Sequence, residues 1–172
     1  MHTRASDLTI RDCGAADTAA RDALITRAFL DAPHADGTEA AIAAALDARG
    51  MASVSLLASR AGMVVGCVLT SPVALSDGTS GWHGLGPIAV EPSLQRQGIG
   101  VALMDAALAR LRADGAAGCV VLGDPAYYGR FGFVANPRLA LPGVPPAYFQ
   151  CLSFSRAVPE AIVRYDEAFG PT

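Results

Sequence analysis

Leu8-Thr9-Ile10-Arg11 alternates apolar with polar positions, the two-residue period of a short strand. Over residues 17–30 the period lengthens to that of a helix, with Ala20, Leu24 and Ala28 one turn apart and Asp17 or Thr18 available as N-cap. A polar loop, 31–37, follows, and Thr38 caps a second helix ending near Gly50. Residues 53–60 and 63–70 are apolar runs joined by Ala61-Gly62 alone, which predicts an antiparallel hairpin. Asp77-Gly78 marks the next turn, and a fourth strand runs through Trp82 to Val90 before Pro92. Val101, Met104, Ala107, Leu108 and Leu111 then share one face of a long helix that begins near Gly98 and stops at Gly115. Residues 117–122 form a fifth strand, parallel to the fourth because a crossover helix separates them. After a proline-rich loop, 137–146, a further strand is expected at 148–154 and a short edge strand at 162–165. The order predicts one α/β domain over 1–172, with its core at about 8–170. Its central sheet is mixed and mostly antiparallel, six to seven strands with flanking helices, the fourth and fifth parallel.

The junction at 93–100, where the fourth strand turns into the long helix, is a natural anion site. The first N–H groups of a helix have no partner within it, and the aligned peptide dipoles put roughly half a positive charge at that end. Phosphate oxygens satisfy both. Gly98 and Gly100 let a bulky ligand lie against the backbone, and Arg96 adds a full positive charge beside it. The turn lacks the Gly-Lys-Ser/Thr of a nucleotide P-loop and the third glycine of the dinucleotide fingerprint, although a plain tight turn would show the same two glycines.

Composition narrows the classes. In 172 residues, 52% are hydrophobic and 17% charged, which excludes disorder, and the longest apolar segment, 62–69, is too short to span a bilayer. A net charge of −3 disfavours nucleic acid and would attract a cationic amine. All thirteen basic residues are arginines. Cys13, Cys67, Cys119 and Cys151 are scattered singly, with no C-x-x-C pair and no metal-ligand spacing, so reduced, buried thiols and no metal are expected. The first seven residues contain no apolar signal core, which leaves the cytoplasm as the expected location.

Gln95-Arg96-Gln97-Gly98-Ile99-Gly100 resembles the acetyl-CoA signature of the GNAT acetyltransferase superfamily, Gln/Arg-x-x-Gly-x-Gly/Ala. Ile88-Ala89-Val90 before Pro92 resembles that superfamily's fourth strand, and Tyr128-Gly129-Arg130-Phe131-Gly132-Phe133 its Tyr-x-x-Phe-Gly-Phe element. The phrase Leu122-Gly123-Asp124-Pro125-Ala126-Tyr127-Tyr128 is similar to a bacterial subgroup of predicted N-acetyltransferases. The resemblance implies a GNAT-like fold and transfer of acetyl from acetyl-CoA, as co-substrate, to a primary amine of a small molecule or peptide within a ternary complex. It also implies a phosphate turn made by Gln95, Arg96, Gln97, Gly98, Ile99 and Gly100, and a pantetheine arm paired with the backbone of Ile88, Ala89 and Val90. The Val90 N–H would face the thioester carbonyl, and Tyr128 would be the general acid for the departing thiolate. Where relatives carry an asparagine this chain has Asp124-Pro125, which makes Asp124 a candidate cofactor contact in its place.

In the superfamily the first helix-loop-helix covers the acceptor site, so Asp31, His34 and Asp36 are candidate acceptor contacts, against the alternative of a solvated polar loop. No base stands out. His83 is the first candidate, and a water chain serves equally well. A homodimer stays open, as does a second class of function, an acyl-CoA-binding sensor or regulatory domain without turnover.

Overall fold

A computed structural model describes residues 7–32, 35–155 and 157–170. Strand β1 (Leu8–Asp12) leads to helices α1 (Thr18–Phe29) and α2 (Glu39–Ala48). The hairpin β2 (Val54–Arg60) and β3 (Met63–Pro72) follows, then the two-residue β4 (Ala74–Leu75) and the long β5 (Trp82–Val90). Helix α3 (Ile99–Ala113) crosses to β6 (Gly118–Leu122), which leads into the short α4 (Pro125–Tyr128). The chain ends with β7 (Leu139–Ala140), β8 (Phe149–Ser153) and β9 (Ala161–Arg164). The expected fourth and fifth strands are therefore β5 and β6.

The main sheet has six strands in the order β1-β2-β3-β5-β6-β8. Every neighbouring pair is antiparallel except β5 and β6, whose crossover through α3 makes them parallel. The mixed, mostly antiparallel α/β sheet read from the hydrophobic pattern is thus the observed one. The last strand differs from expectation. Instead of adding an edge to the main sheet, β9 is the centre of a separate three-stranded sheet, β4-β9-β7, antiparallel to β4 and parallel to β7. Two-residue partners carry no periodicity, so nothing in the pattern marks them as strands.

Alternation along the strands divides the core between the two faces of the sheet. On one face Leu56, Val68 and Leu85 pack under Leu103, Met104 and Leu111 of α3. On the other, Leu57, Cys67 and Leu69 meet Leu24 and Ile25 of α1 and Leu46 of α2. Trp82, Val120 and Val163 build a third cluster where the small sheet docks. Side chains of this size, fully buried, each contribute roughly 1.5–3 kcal/mol of transfer free energy. That packing fixes both faces of β5, along which the candidate site is built.

Candidate functional site

Strand β5 is paired on both sides only over its first three residues. Trp82, His83 and Gly84 lie opposite Gly118, Cys119 and Val120 of β6, and the pairing then stops. From Leu85 to Val90 the strand keeps only β3, with a register shift between Val68 and Thr70 where β5 contains Gly86-Pro87. The two parallel strands fork, and one edge of β5 is left free.

The antiparallel ladder decides which backbone groups face that edge. Glu91 N donates to Val65 O at 2.8 Å, so Glu91 and Val65 form a hydrogen-bonded pair, and Val90 opposite Gly66 falls in the next, non-bonded pair. Val90 and Ile88 therefore turn their N–H and C=O groups away from β3 toward the fork. Ala89 turns its own toward β3. Of the three residues expected to offer their backbone, Ile88 and Val90 turn theirs to the fork, and Ala89 lines the cleft with its backbone bonded to β3. The amide of Gln95 donates to Val90 O at 3.3 Å and closes the end of the edge, while Arg27 of α1 pairs with Glu91 at 2.8 Å.

Past β5 the chain curls into α3 through two left-handed residues, Arg96 (φ 64°) and Gly98 (φ 84°). Gly98 is the N-cap, and no side chain caps the helix. The first intrahelical bond recorded at this end runs from Ala102 N to Gly98 O at 3.0 Å, so the N–H groups of Ile99, Gly100 and Val101 are free of helical partners. These residues line a cleft of about 740 Å³ together with Ile88, Ala89, Val90, Gln95, Arg96, Tyr127 and Arg130. Gln97 stands outside that lining, its side-chain Oε1 accepting from Arg60 Nη1 at 3.3 Å.

The floor of the cleft comes from the segment after β6. Asp124 accepts from Ala126 N at 2.9 Å as the N-cap of α4. Its carboxylate holds the tyrosine-bearing turn and is not part of the cleft wall. Tyr127 reaches into the cleft: a Cβ on Gly100 would lie 2.8 Å from its hydroxyl, and the Arg130 guanidinium sits 4.8 Å from its ring centroid. Tyr128 turns inward, edge-on to Tyr127 at 5.0 Å and to the buried Phe133 at 6.1 Å. Burial, with Tyr127 and Cys119 nearby, pushes the Tyr128 phenol up to about 12, so it keeps its proton at any physiological pH. Tyr127, Arg130 and Val101 are cleft residues that pattern reading missed. The one available signal was helical spacing, since Tyr127 and Arg130 are three residues apart.

The remaining candidates lie elsewhere. His83 sits on the opposite side of the fork point from Val90, with Nδ1 2.8 Å from Ser53 Oγ, and burial lowers its pKa. Like Tyr128, which packs behind Tyr127, it is not among the cleft-lining residues. Asp36 accepts from Thr38 N at 3.0 Å and from the Thr38 hydroxyl, which holds its carboxyl below the usual range and ties it to the start of α2. Asp31 is exposed just beyond α1. His34 lies outside the described residues. Among the described residues no group of three or more His, Cys, Asp or Glu is arranged to hold a metal, and no helix is long and apolar enough to cross a membrane.

Comparison with known proteins bears on the same stretch. The model of the acetyltransferase (GNAT) family matches residues 20–133, which include β5, the turn and both tyrosines. The uncharacterized N-acetyltransferase YhbS of Escherichia coli K12 is 36% identical over 113 residues, which cover 65% of this chain and 65% of that protein, just under two thirds of its length. The crystal structure of a GNAT family acetyltransferase from Brucella melitensis in complex with acetyl-CoA is 39% identical, covering 94% of this chain and 97% of that one, with a TM-score of 0.85. The structure of YhbS from Escherichia coli in complex with CoA superposes with a TM-score of 0.87 at 31% identity, covering 99% and 97% of the two chains.

Proposed function

The chain belongs to the acetyltransferase (GNAT) family, and from that premise we propose that it is an acetyl-CoA-dependent N-acetyltransferase whose acceptor is a primary amine of a small molecule or peptide. The observation that carries this reading is the free edge of β5 running without a break into an uncapped helix N-terminus. A pantetheine arm is a short chain of amides that can pair with such an edge as an added strand would, and a pyrophosphate fits the N–H groups that follow.

In this reading the amides of the arm bond Ile88 and Val90. The pyrophosphate rests on the N–H groups of Ile99, Gly100 and Val101, with Arg96 supplying charge and Gln95 and Gln97 flanking the turn. The Val90 N–H polarises the thioester carbonyl and holds the oxyanion formed when the amine attacks. Tyr128, held protonated by burial, gives its proton to the sulfur as the C–S bond breaks. Asp124 acts indirectly, by capping the turn that presents both tyrosines. The enzyme is taken to work in the cytoplasm, which its four free cysteines support.

Release of CoA thiol from acetyl-CoA in the presence of polyamines, aminoglycosides, amino acids and peptides tests the reading. Saturable, amine-dependent release is the expected result. Tight acetyl-CoA binding with no release beyond the amine-free rate for any amine would overturn it in favour of a sensor domain without turnover.

A further inference from the structure

Two arginines wall the cleft, Arg96 and Arg130, and among the described residues neither has a carboxylate partner, whereas Arg11, Arg21, Arg27, Arg49 and Arg110 are each ion-paired. Acidic groups are not scarce. The chain has 16 of them against 13 arginines, and none lines the cleft. A concave wall that carries two guanidinium charges and no carboxylate, on a protein of net charge −3, attracts an anion.

The two cations differ in how they are held. Arg96 belongs to the turn itself, left-handed at φ 64° and two residues before the N-cap of α3. Arg130 comes from the segment after β6. Its guanidinium carbon lies 4.8 Å from the centroid of the Tyr127 ring, which is braced edge-on by Tyr128 at 5.0 Å and by Phe131 at 5.6 Å. The Tyr127 hydroxyl in turn reaches the first turn of α3, where a Cβ on Gly100 would lie 2.8 Å from it. A guanidinium held against an aromatic ring keeps its N–H fork free for a ligand and loses less side-chain freedom on binding one. Arg60, the other basic group beside the turn, already donates to Gln97 and lies outside the cleft lining.

CoA brings two separate anionic groups, the pyrophosphate and a phosphate monoester on the ribose 3′ oxygen, which carries a charge of about −2 at neutral pH. The helix N-terminus supplies roughly half a positive charge, and with Arg96 it answers the pyrophosphate. That leaves the monoester without a cation on the turn. Three oxygens on one phosphorus suit the paired donors of a guanidinium. We propose that Arg130, braced on Tyr127, binds the ribose 3′-phosphate and makes the protein selective for CoA thioesters over thioesters of dephospho-CoA. The selectivity belongs to the donor and is independent of the amine. The proposal rests on acetyl-CoA being the donor, as in the reading above, and adds to it the residue that tells CoA from its dephosphorylated form.

CoA and 3′-dephospho-CoA are titrated by calorimetry into the full chain as wild type, Arg130→Gln and Arg96→Gln. Wild type should bind CoA roughly tenfold more tightly than dephospho-CoA, the effect of one charge-assisted contact at an exposed guanidinium. Arg130→Gln should weaken CoA by about that factor and leave dephospho-CoA within about twofold, so that the preference disappears. Arg96→Gln should weaken both ligands alike and keep the preference, because the pyrophosphate is common to them. Tyr127→Phe keeps the ring under the guanidinium and should keep the preference as well. Equal affinities in wild type, a preference that survives Arg130→Gln, an Arg130→Gln protein that loses both ligands equally, or a preference removed by Arg96→Gln would each overturn the assignment while leaving acetyl transfer standing. If wild type binds neither ligand, the acetyl-CoA reading fails and this assignment fails with it.

Discussion

The first three residues of β5 and the last six are one strand in two chemical states. Trp82 to Gly84 have partners on both sides, and their surroundings are closed: the Trp82 ring is buried against Gly118, where a Cβ would lie 2.5 Å from its Cζ3 and Cη2. Leu85 to Val90 have a partner on one side only, and Ile88 and Val90 present unpaired amides to a cleft. An interior strand edge left open is unusual, since backbone N–H and C=O groups that are neither paired nor solvated are costly. On the proposed function, the difference makes the paired half structure and the free half site. Changes in the first should be felt as stability and changes near the second as binding or turnover.

The largest expected effect lies at the free half. Tyr128→Phe should lower kcat by about 10²–10⁴, typical of one general acid, with acetyl-CoA affinity unchanged, if chemistry limits turnover. Tyr127→Phe, in the same helix turn, should change kcat little. Because burial raises the Tyr128 phenol to about 12, its loss as an acid should not produce an alkaline fall in kcat below about pH 11. Retention of full kcat by Tyr128→Phe when acyl transfer is rate-limiting would reduce the residue to packing.

At the paired half, Trp82→Ala should cost about 3–5 kcal/mol of unfolding free energy in urea titrations, because the side chain is fully buried. Folded protein at low temperature should still bind acetyl-CoA, and loss of binding without loss of stability would break the division. Gly98→Val is the reverse case. It should weaken acetyl-CoA binding by roughly 10²-fold in calorimetry, about two hydrogen bonds to charged oxygens, and cost ~1–2 kcal/mol of stability from its left-handed backbone. The smallest effect is expected for Asp124→Ala, a loss of ~1 kcal/mol from the missing cap with a reduced kcat, both restored by Asp124→Asn. A change confined to acetyl-CoA affinity would instead make Asp124 a cofactor contact.

Much of the paired architecture was legible in the sequence because it rests on local period. The strand expected from Trp82 to Val90 and the helix after Gly98 occur where the pattern puts them, as β5 and as α3 from Ile99 to Ala113. The free edge was marked only by Gly86-Pro87, since a proline inside a strand belongs at an edge or a bulge. What could not be read depends on pairing or on direction. The ladder register turns Ala89 toward β3 while Ile88 and Val90 face the fork. The α4 turn sends Tyr127 into the cleft and Tyr128 inward, although the two are adjacent in sequence. Asp36 and Asp124, expected as ligand contacts, are engaged by local backbone in the fold, Asp36 by Thr38 just before α2 and Asp124 as the N-cap of α4, because short polar side chains serve nearby N–H groups first.

Amide hydrogen exchange along β5, followed by NMR with and without acetyl-CoA, tests the central claim most directly. Ala89, bonded to β3, should be protected in both states. Ile88 and Val90 should exchange quickly in the free protein and slow by at least ~10²-fold at saturating acetyl-CoA, since their N–H groups gain partners only from the bound arm. If acetyl-CoA binds and the exchange of Ile88 and Val90 stays at its free-protein rate, the arm does not lie on this edge and the account is contradicted.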